Sequence, residues 1–301
     1  MPPTPDVGPR APDAGTLEPI APGVWAWIGT DGAGRPGPNV GVIVEDDGIT
    51  LVDSTSAPSP ARSLTDALAR FGVPVRRLVY TSSHVDSVGG SSVFWMAARY
   101  GRPQTSALME QPVPIDAYRR LVPAYAADYD DEAFATRPVS HVVAQAAWLT
   151  PLVCAVPVQG SQAENLVVLV PSAGVLFAGA LATFGTTPNA YDGDPEAWAD
   201  TLGELRDQAT VVVPGVGPVG GPDHLTALQA YLYAVVDADG DPSRIPAGPW
   251  DDWADRDLDL VNVERAARLS DDDRGVPVAM LHRLGLATGG ARTDHRDGST
   301  R

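Results

Sequence analysis

The sequence has no lysine and a single cysteine. One cysteine excludes an intrachain disulfide and any cysteine-built metal cluster. Cys154 lies in the apolar run 152–156, where it is expected as a small buried hydrophobe. With no lysine, all 21 basic residues are arginine, against 38 Asp and Glu and a net charge of −17. A chain this acidic is a poor match for nucleic-acid phosphates, which need clustered basic side chains, and for anionic membrane surfaces. Solubility is the plain consequence of the charge. The missing lysine, beside 30 Gly and 29 Pro, reflects a GC-rich coding bias. Long apolar runs are also lacking: none approaches the ~20 residues of a membrane span. The N-terminus is Pro-rich and acidic, without the basic and apolar regions of a signal peptide, so a cytoplasmic protein is expected.

What is present suffices for a substantial core. At 301 residues and 44% hydrophobic, the chain can form one large α/β domain or two small ones. Residues 1–19 are Pro- and Asp-rich and predict a disordered tail. A strand at 24–28 and a Gly/Pro-rich loop at 31–38 precede a hairpin, 40–44 and 49–52, turned by Asp47-Gly48. Ser59, as cap, and Pro60 start a predicted helix with the stripe Leu64, Leu68 and Phe71, closed by Gly72. Helices are predicted at 90–100 and 114–129, and two or three short strands within 141–158. The segment from Asn165 to Gly174 repeats that from Asn39 to Gly48 at an offset of 126, and Val219-Gly-Gly221 echoes Val88-Gly-Gly90. Two related α/β halves are therefore expected. Helices at 194–205 and from 223, with a strand at 210–213 between them, complete the second half. An acidic connector, helices at 257–269 and 275–286, and a polar tail at 288–301 follow.

Between the first hairpin and the predicted helix at 90–100 lies Leu78-Val-Tyr-Thr-Ser-Ser-His-Val-Asp-Ser-Val-Gly-Gly90: an apolar strand, a polar turn and a helix start. Such a turn places side chains in a crevice at the carboxyl end of a strand. It resembles the Thr-His-x-His-x-Asp-His-x-Gly-Gly signature of the metallo-β-lactamase superfamily, matching at Thr81, His84, Asp86, Gly89 and Gly90. The resemblance extends over 22–236, through Val52-Asp53, Gly174-Val-Leu-Phe-Ala-Gly179 and Val213-Pro-Gly-Val-Gly-Pro218. The segment 191–205 and Val261-Asn-Val-Glu-Arg265 also resemble hydrolases of that superfamily. The resemblance implies a four-layer αββα sandwich, here as one domain at 20–238 with a C-terminal helical extension at 239–287.

The ligand positions depart from the family pattern. Carried across one by one, the first metal would use Ser82, His84 and Ser161; the second would use Asp86, Ser87 and Val216. The bridging aspartate would be Ala180. Only His84 and Asp86 remain as donors, whereas catalytic zinc takes about three protein ligands. No bound zinc and no other cofactor is therefore expected. His141, His224, His282 and His295 lie off the motif and are expected on the surface. The candidate pocket residues are His84, Asp86, Ser82, Ser87 and Ser161, with Ser83 beside them. His84 suits acid–base chemistry, oriented by Asp86 or a serine; the same pair suits a purely structural hydrogen-bonding role. Asp53 is expected to support the turn, Glu164 to be a loop carboxylate and Tyr191 to reach the pocket mouth. Trp25, Trp27, Trp95 and Trp198 are expected in the core.

These residues lead us to expect a metal-independent enzyme acting on a small organic molecule in the former active-site cleft, of hydrolase, lyase or cyclase type, with secondary metabolism as one setting. The alternatives are a non-catalytic protein that binds a ligand or partner, and a hydrolase with one weakly held metal. The substrate and the oligomeric state stay open.

Overall fold

A computed structural model describes residues 9–11, 13–130 and 134–286. Its first sheet has seven strands in chain order: β1 (Gly15–Ala21), β2 (Val24–Gly29), β3 (Val40–Glu45), β4 (Gly48–Val52), β5 (Val75–Val79), β6 (Ala98–Gly101) and β7 (His141–Val142). β1 to β4 pair antiparallel, and β4 to β7 pair parallel. The second sheet runs β12-β11-β10-β9-β8, from β8 (Ala147–Trp148), β9 (Cys154–Val158), β10 (Asn165–Val170), β11 (Val175–Thr183) and β12 (Val211–Val216). Only β11 and β12 are parallel in this sheet.

Alternating apolar residues on both sheets make the layers. Ile43, Val52, Val79, Leu166, Val168, Phe177 and Val213 fill the space between the sheets. On the outer face of the first sheet, Leu51, Leu78 and Tyr80 pack against Ala61, Leu64 and Leu68 of α1 (Pro58–Leu68). On the outer face of the second, Val167, Leu176 and Val212 meet Trp198 and Leu202 of one helix (Pro195–Leu205) and Leu228 and Leu232 of another (Pro222–Asp237). The result is the expected αββα sandwich. The sheets approach closely because Gly41 has no side chain: a Cβ there would lie 2.5 Å from the Phe177 ring.

Four short helical pieces cross the mouth of the sandwich or lead to it: α2 (Val85–Val88), a 3-10 turn at Ser91–Phe94, α3 (Pro103–Met109) and α4 (Ile115–Leu121). The longer α5 (Pro195–Leu205), α6 (Pro222–Asp237) and α7 (Leu258–Ser270) and the short α8 (Val278–Arg283) complete the chain. Asp194 caps α5 by accepting from Ala197 N. Among the described residues no helix is long and apolar enough to cross a membrane.

The internal repeat has a structural counterpart. Asn39 and Asn165 each stand at the start of a hairpin and reach across to the other half. Asn39 Oδ1 accepts from Gly29 N at 3.0 Å, and its Nδ2 donates to the carbonyls of Pro214 and Gly217 at 2.9 and 2.8 Å. Asn165 Oδ1 accepts from Gln162 N at 2.9 Å, and its Nδ2 donates to Thr81 O at 3.1 Å and Ser161 Oγ at 3.0 Å. Buried amides satisfied in this way tie the halves together.

Several expectations are corrected. The tail predicted at 1–19 includes β1, whose backbone pairs with β2 from Gly15 onward. The helix predicted at 90–100 is a short turn followed by strand β6. Trp95 and Met96 are 54% and 78% exposed, so the apolar stripe is too short to hold a helix, and β5 takes the backbone instead. The helix at 114–129 breaks at Val122-Pro123 into α4 and a 3-10 segment. Ser59 does not cap α1: Ala57 holds that position and Ser59 Oγ donates to Asp128. Cys154 is half-buried rather than buried. The tail predicted at 288–301 lies outside the described residues.

Candidate functional site

Asp53 directly follows β4, and its backbone is left-handed with φ of 66°. This turns the carboxylate under the next parallel strand, where it accepts from Thr81 N at 2.8 Å and Thr81 Oγ1 at 2.7 Å. Thr81 Oγ1 in turn accepts from Ala180 N at 3.0 Å, which joins the two sheets at this point. Asp53 is only 4% exposed, and that burial pushes its pKa up to about 7 against the hydrogen bonds that favour the anion. The expected supporting role of Asp53 matches this placement.

The serines of the turn are spent on each other. Ser82 Oγ and Ser87 Oγ are 2.9 Å apart, His84 N donates to Ser82 Oγ at 3.2 Å, and Ser54 Oγ donates to Ser87 O at 2.8 Å. Ser82 and Ser161 are buried beneath the turn and line neither of the two cavities beside His84, unlike their expected place in the pocket. Their small hydroxyls find partners within the loops, Ser161 with Asn165. Ser87 is also buried but borders a small inner cavity of about 100 Å³, with His84, Asp86, Ala180 and Val216. Outward from it opens a cleft of about 440 Å³, lined by Ser83, His84, Asp86, Tyr118, Tyr191 and Asp192, with Leu108, Met109 and Met280 among its apolar walls.

His84 links the two cavities. Its Nε2 lies 3.1 Å from both carboxylate oxygens of Asp192, and its ring lies 5.4 Å from that of Tyr191. Nδ1 has no hydrogen-bond partner among the described residues and is not a buried orphan. Burial opposes the charged imidazole, but the charge and hydrogen bonding of Asp192, with Asp86 and Asp53 behind, outweigh it and raise the His84 pKa. Gln162 closes the network: its Nε2 donates to Asp192 Oδ2 at 3.0 Å and its Oε1 accepts from Ser83 N at 2.9 Å. Asp86 has no hydrogen bond or ion pair among the described residues. Its side chain reaches solvent in the cleft while protein surrounds it, and that burial raises its pKa against the nearby His84. His84 therefore turns to Asp192, not to Asp86 or a serine.

Asp192 sits where it does because α7 holds its loop. Asn262 Oδ1 accepts from Ala190 N at 2.9 Å and its Nδ2 donates to Pro188 O at 2.8 Å. Arg265 Nε donates to Gly193 O at 2.7 Å. Opposite, Tyr118, Tyr129 and Phe134 form an aromatic cluster with centroids 5.0–6.1 Å apart, tethered by Tyr129 Oη donating to Ser56 O at 2.7 Å. Asp192 and Gln162 were missed from sequence because neither occupies a ligand position of the resemblance, although Gln162 follows Ser161 and Asp192 follows Tyr191 in the segment 191–205.

Elsewhere, Glu164 accepts from Gln104 N at 2.7 Å and pairs with Arg102, which makes it structural. Trp27 and Trp198 are core residues, Trp25 is half-buried, and Trp95 is exposed, contrary to expectation. His141, His224 and His282 are exposed as expected; His295 lies outside the described residues. Among the described residues no three His, Cys, Asp or Glu side chains gather as a metal-binding group. Ala180 and Val216 border the inner cavity with no donor atom, and the Ser82 and Ser87 hydroxyls face each other. This donor set does not fit a zinc pair.

No protein-family profile matches the chain. Solved metallo-β-lactamases do match in structure. FIM-1 from Pseudomonas aeruginosa, in its mono-zinc form, has 19% identity, covers 80% of this chain and 100% of its own, and gives a TM-score of 0.59. The enzyme from Pontibacter korlensis has 21% identity over 72% of this chain and 98% of its own, at 0.57. That from Hirschia baltica has 18% identity over 72% and 97%, at 0.56. At such identities the likeness establishes the fold.

Proposed function

We propose that this chain, which carries the metallo-β-lactamase fold, is a metal-independent enzyme acting on a small organic molecule in the cleft, by proton transfer at His84. One observation carries the reading: His84 has one ring nitrogen fixed by Asp192 and the other free, at the junction of two cavities. A carboxylate accepting from Nε2–H leaves the lone pair on Nδ1, which is the tautomer of a general base. Nδ1 takes a proton from the substrate, Asp192 stabilises the imidazolium that forms, and Nδ1 then returns the proton to the leaving atom. Tyr191 walls the ring, and Gln162 holds Asp192 at its bonding distance. Hydrolysis, elimination and cyclisation all use such a step.

The loss of donors at Ser82, Ser87, Ala180 and Val216 supports the metal-free part of this reading. The test is turnover of a panel of small esters, lactones, β-lactams and elimination substrates by chelator-treated protein. We expect turnover that is indifferent to added zinc, manganese or iron and falls by about 10²–10⁴-fold in His84→Gln, with its melting temperature retained. Turnover that requires metal, or that survives His84→Gln, refutes the proposal. A second reading, binding without chemistry, is favoured by the apolar floor at Ala180 and Val216. It predicts a ligand that raises thermal stability and is recovered unchanged.

A further inference from the structure

The cleft has an uneven charge. Its titratable lining groups are His84, Asp86, Asp192, Tyr118 and Tyr191, and no arginine lines it. The chain has no lysine to supply a cation from elsewhere. Asp192 already has His84 and Gln162. The guanidinium whose field reaches Asp192, Arg265, is turned away onto the carbonyls of Gly193, Arg274 and Gly275. That leaves Asp86 as a carboxylate in a cavity wall with no partner. Asp86 is exposed to the water of the cleft, so a ligand entering there meets its carboxylate directly and has to match it with a cation or a donor. Around it stand the rings of Tyr118 and Tyr191, both within reach of the Asp86 charge, and the thioethers of Met109 and Met280. An aromatic face beside a carboxylate is a favourable setting for an ammonium group. Leu108, Val113, Leu121 and Val122 add apolar wall, Gln111, Thr136 and Asn189 add neutral polar groups, and about 440 Å³ is a small-molecule volume.

We infer that the cleft selects organic cations: its substrate is a protonated amine with an apolar body, the ammonium against Asp86 and the body on the tyrosine and methionine walls. This rests on the reading of the cleft as the working site and names the class of molecule it takes. A carboxylate-bearing substrate meets the like charges of Asp86 and Asp192 there. The position of the ammonium beside His84 also suits the proposed chemistry, since a bound cation favours the neutral imidazole that acts as base.

The experiment compares three probes of matched shape, 2-phenylethylamine, 2-phenylethanol and 3-phenylpropanoate, by calorimetry and by the His84 imidazole NMR signal, in chelator-containing buffer near neutral pH. We expect the amine to bind about tenfold more tightly than the alcohol, the carboxylate to bind more weakly than either, and Asp86→Asn to bring the amine close to the alcohol while leaving the alcohol unchanged. Tyr191→Leu is the second probe and lowers the amine preference without touching the carboxylate of Asp86. Equal affinities, a preference for 3-phenylpropanoate, no His84 response to the amine, or an unaltered amine preference in a folded Asp86→Asn protein overturns the inference. Amine selectivity without turnover of any amine would remove the enzyme and keep the cation site. Turnover of neutral or anionic substrates without amine selectivity would do the reverse.

Discussion

Replacing Asp192 with Asn tests the central pair directly. The substitution keeps the shape and an acceptor but removes the charge that faces His84 Nε2 at 3.1 Å through both oxygens. Two unit charges about 4 Å apart attract by about 4 kcal/mol at an effective dielectric of ~20. The side chains are 19% and 30% exposed, so water in the cleft screens part of that. What remains acts in one direction, favouring the charged imidazole. In the native protein the His84 pKa is raised, although burial alone would lower it. Without Asp192, burial prevails and His84 should titrate lower than in the native protein. The sign for stability follows. A histidine with a raised folded pKa stabilises fully below its unfolded value of about 6.5, and this is lost as pH rises through the folded value. Native protein should therefore lose stability across that window, and Asp192→Asn should not. Imidazole NMR titration, with the signal assigned by its absence in His84→Gln, reads the shift; urea melts across the same pH range read the stability. An unchanged His84 titration in Asp192→Asn would refute the pair as the cause.

Further consequences are independent of that pair. Asp53 is pushed up to about 7 by burial, so its contribution is fully present only below its unfolded value near 4 and fades as pH rises to about 7. Asp53→Asn, which keeps an acceptor for Thr81 N, should gain stability relative to native protein over that range in pH-dependent melts; parallel curves would contradict it. Gly41→Ala places a methyl 2.5 Å from the Phe177 ring and should cost about 1–3 kcal/mol in denaturant melts, with part of the loss recovered by Phe177→Leu. Asn262→Ala strips partners from Ala190 N and Pro188 O, at about 1–3 kcal/mol. It should also lower the His84 pKa by loosening the Asp192 loop, and an unmoved His84 signal would show that α7 does not position that loop.

What the sequence made legible was local. Asp47-Gly48 between apolar runs specifies the β3–β4 hairpin, and the repeated Asn-led hairpin marks two amides that share a role in opposite halves. The turn motif located His84, Asp86 and Asp53 near one another before any coordinates. The partner of His84 was not legible, because Asp192 lies 108 positions away on a loop held by a C-terminal helix. Hydrophobic patterning carries no information on which polar loop residue closes a contact at that separation. The serines misled for a related reason. Residue type suggested pocket hydroxyls, but a small buried hydroxyl is satisfied at least cost by its nearest neighbour, and Ser82 and Ser87 are five residues apart. At 90–100, helical spacing of apolar residues was outweighed by sheet pairing.

The crevice between the sheets is held by bonds that need no ion. Thr81 binds Asp53 on its own sheet and Ala180 on the other, Asn39 reaches Pro214 and Gly217, and Asn165 reaches Thr81. These bonds link the starts of β3 and β10 to the residues that follow or end β4, β5 and β12. With the frame secured independently, positions facing the inner cavity can carry Ala180 and Val216 without loosening the fold. The polar chemistry then moves outward by one layer, from the strand ends to the loop of Asp192 and Gln162. His84 borders the inner cavity and also bonds to Asp192 of that loop. Removing Asn165's amide therefore ought to disturb the sheet junction and His84 together, whereas changing Val216 should reach only the cavity floor.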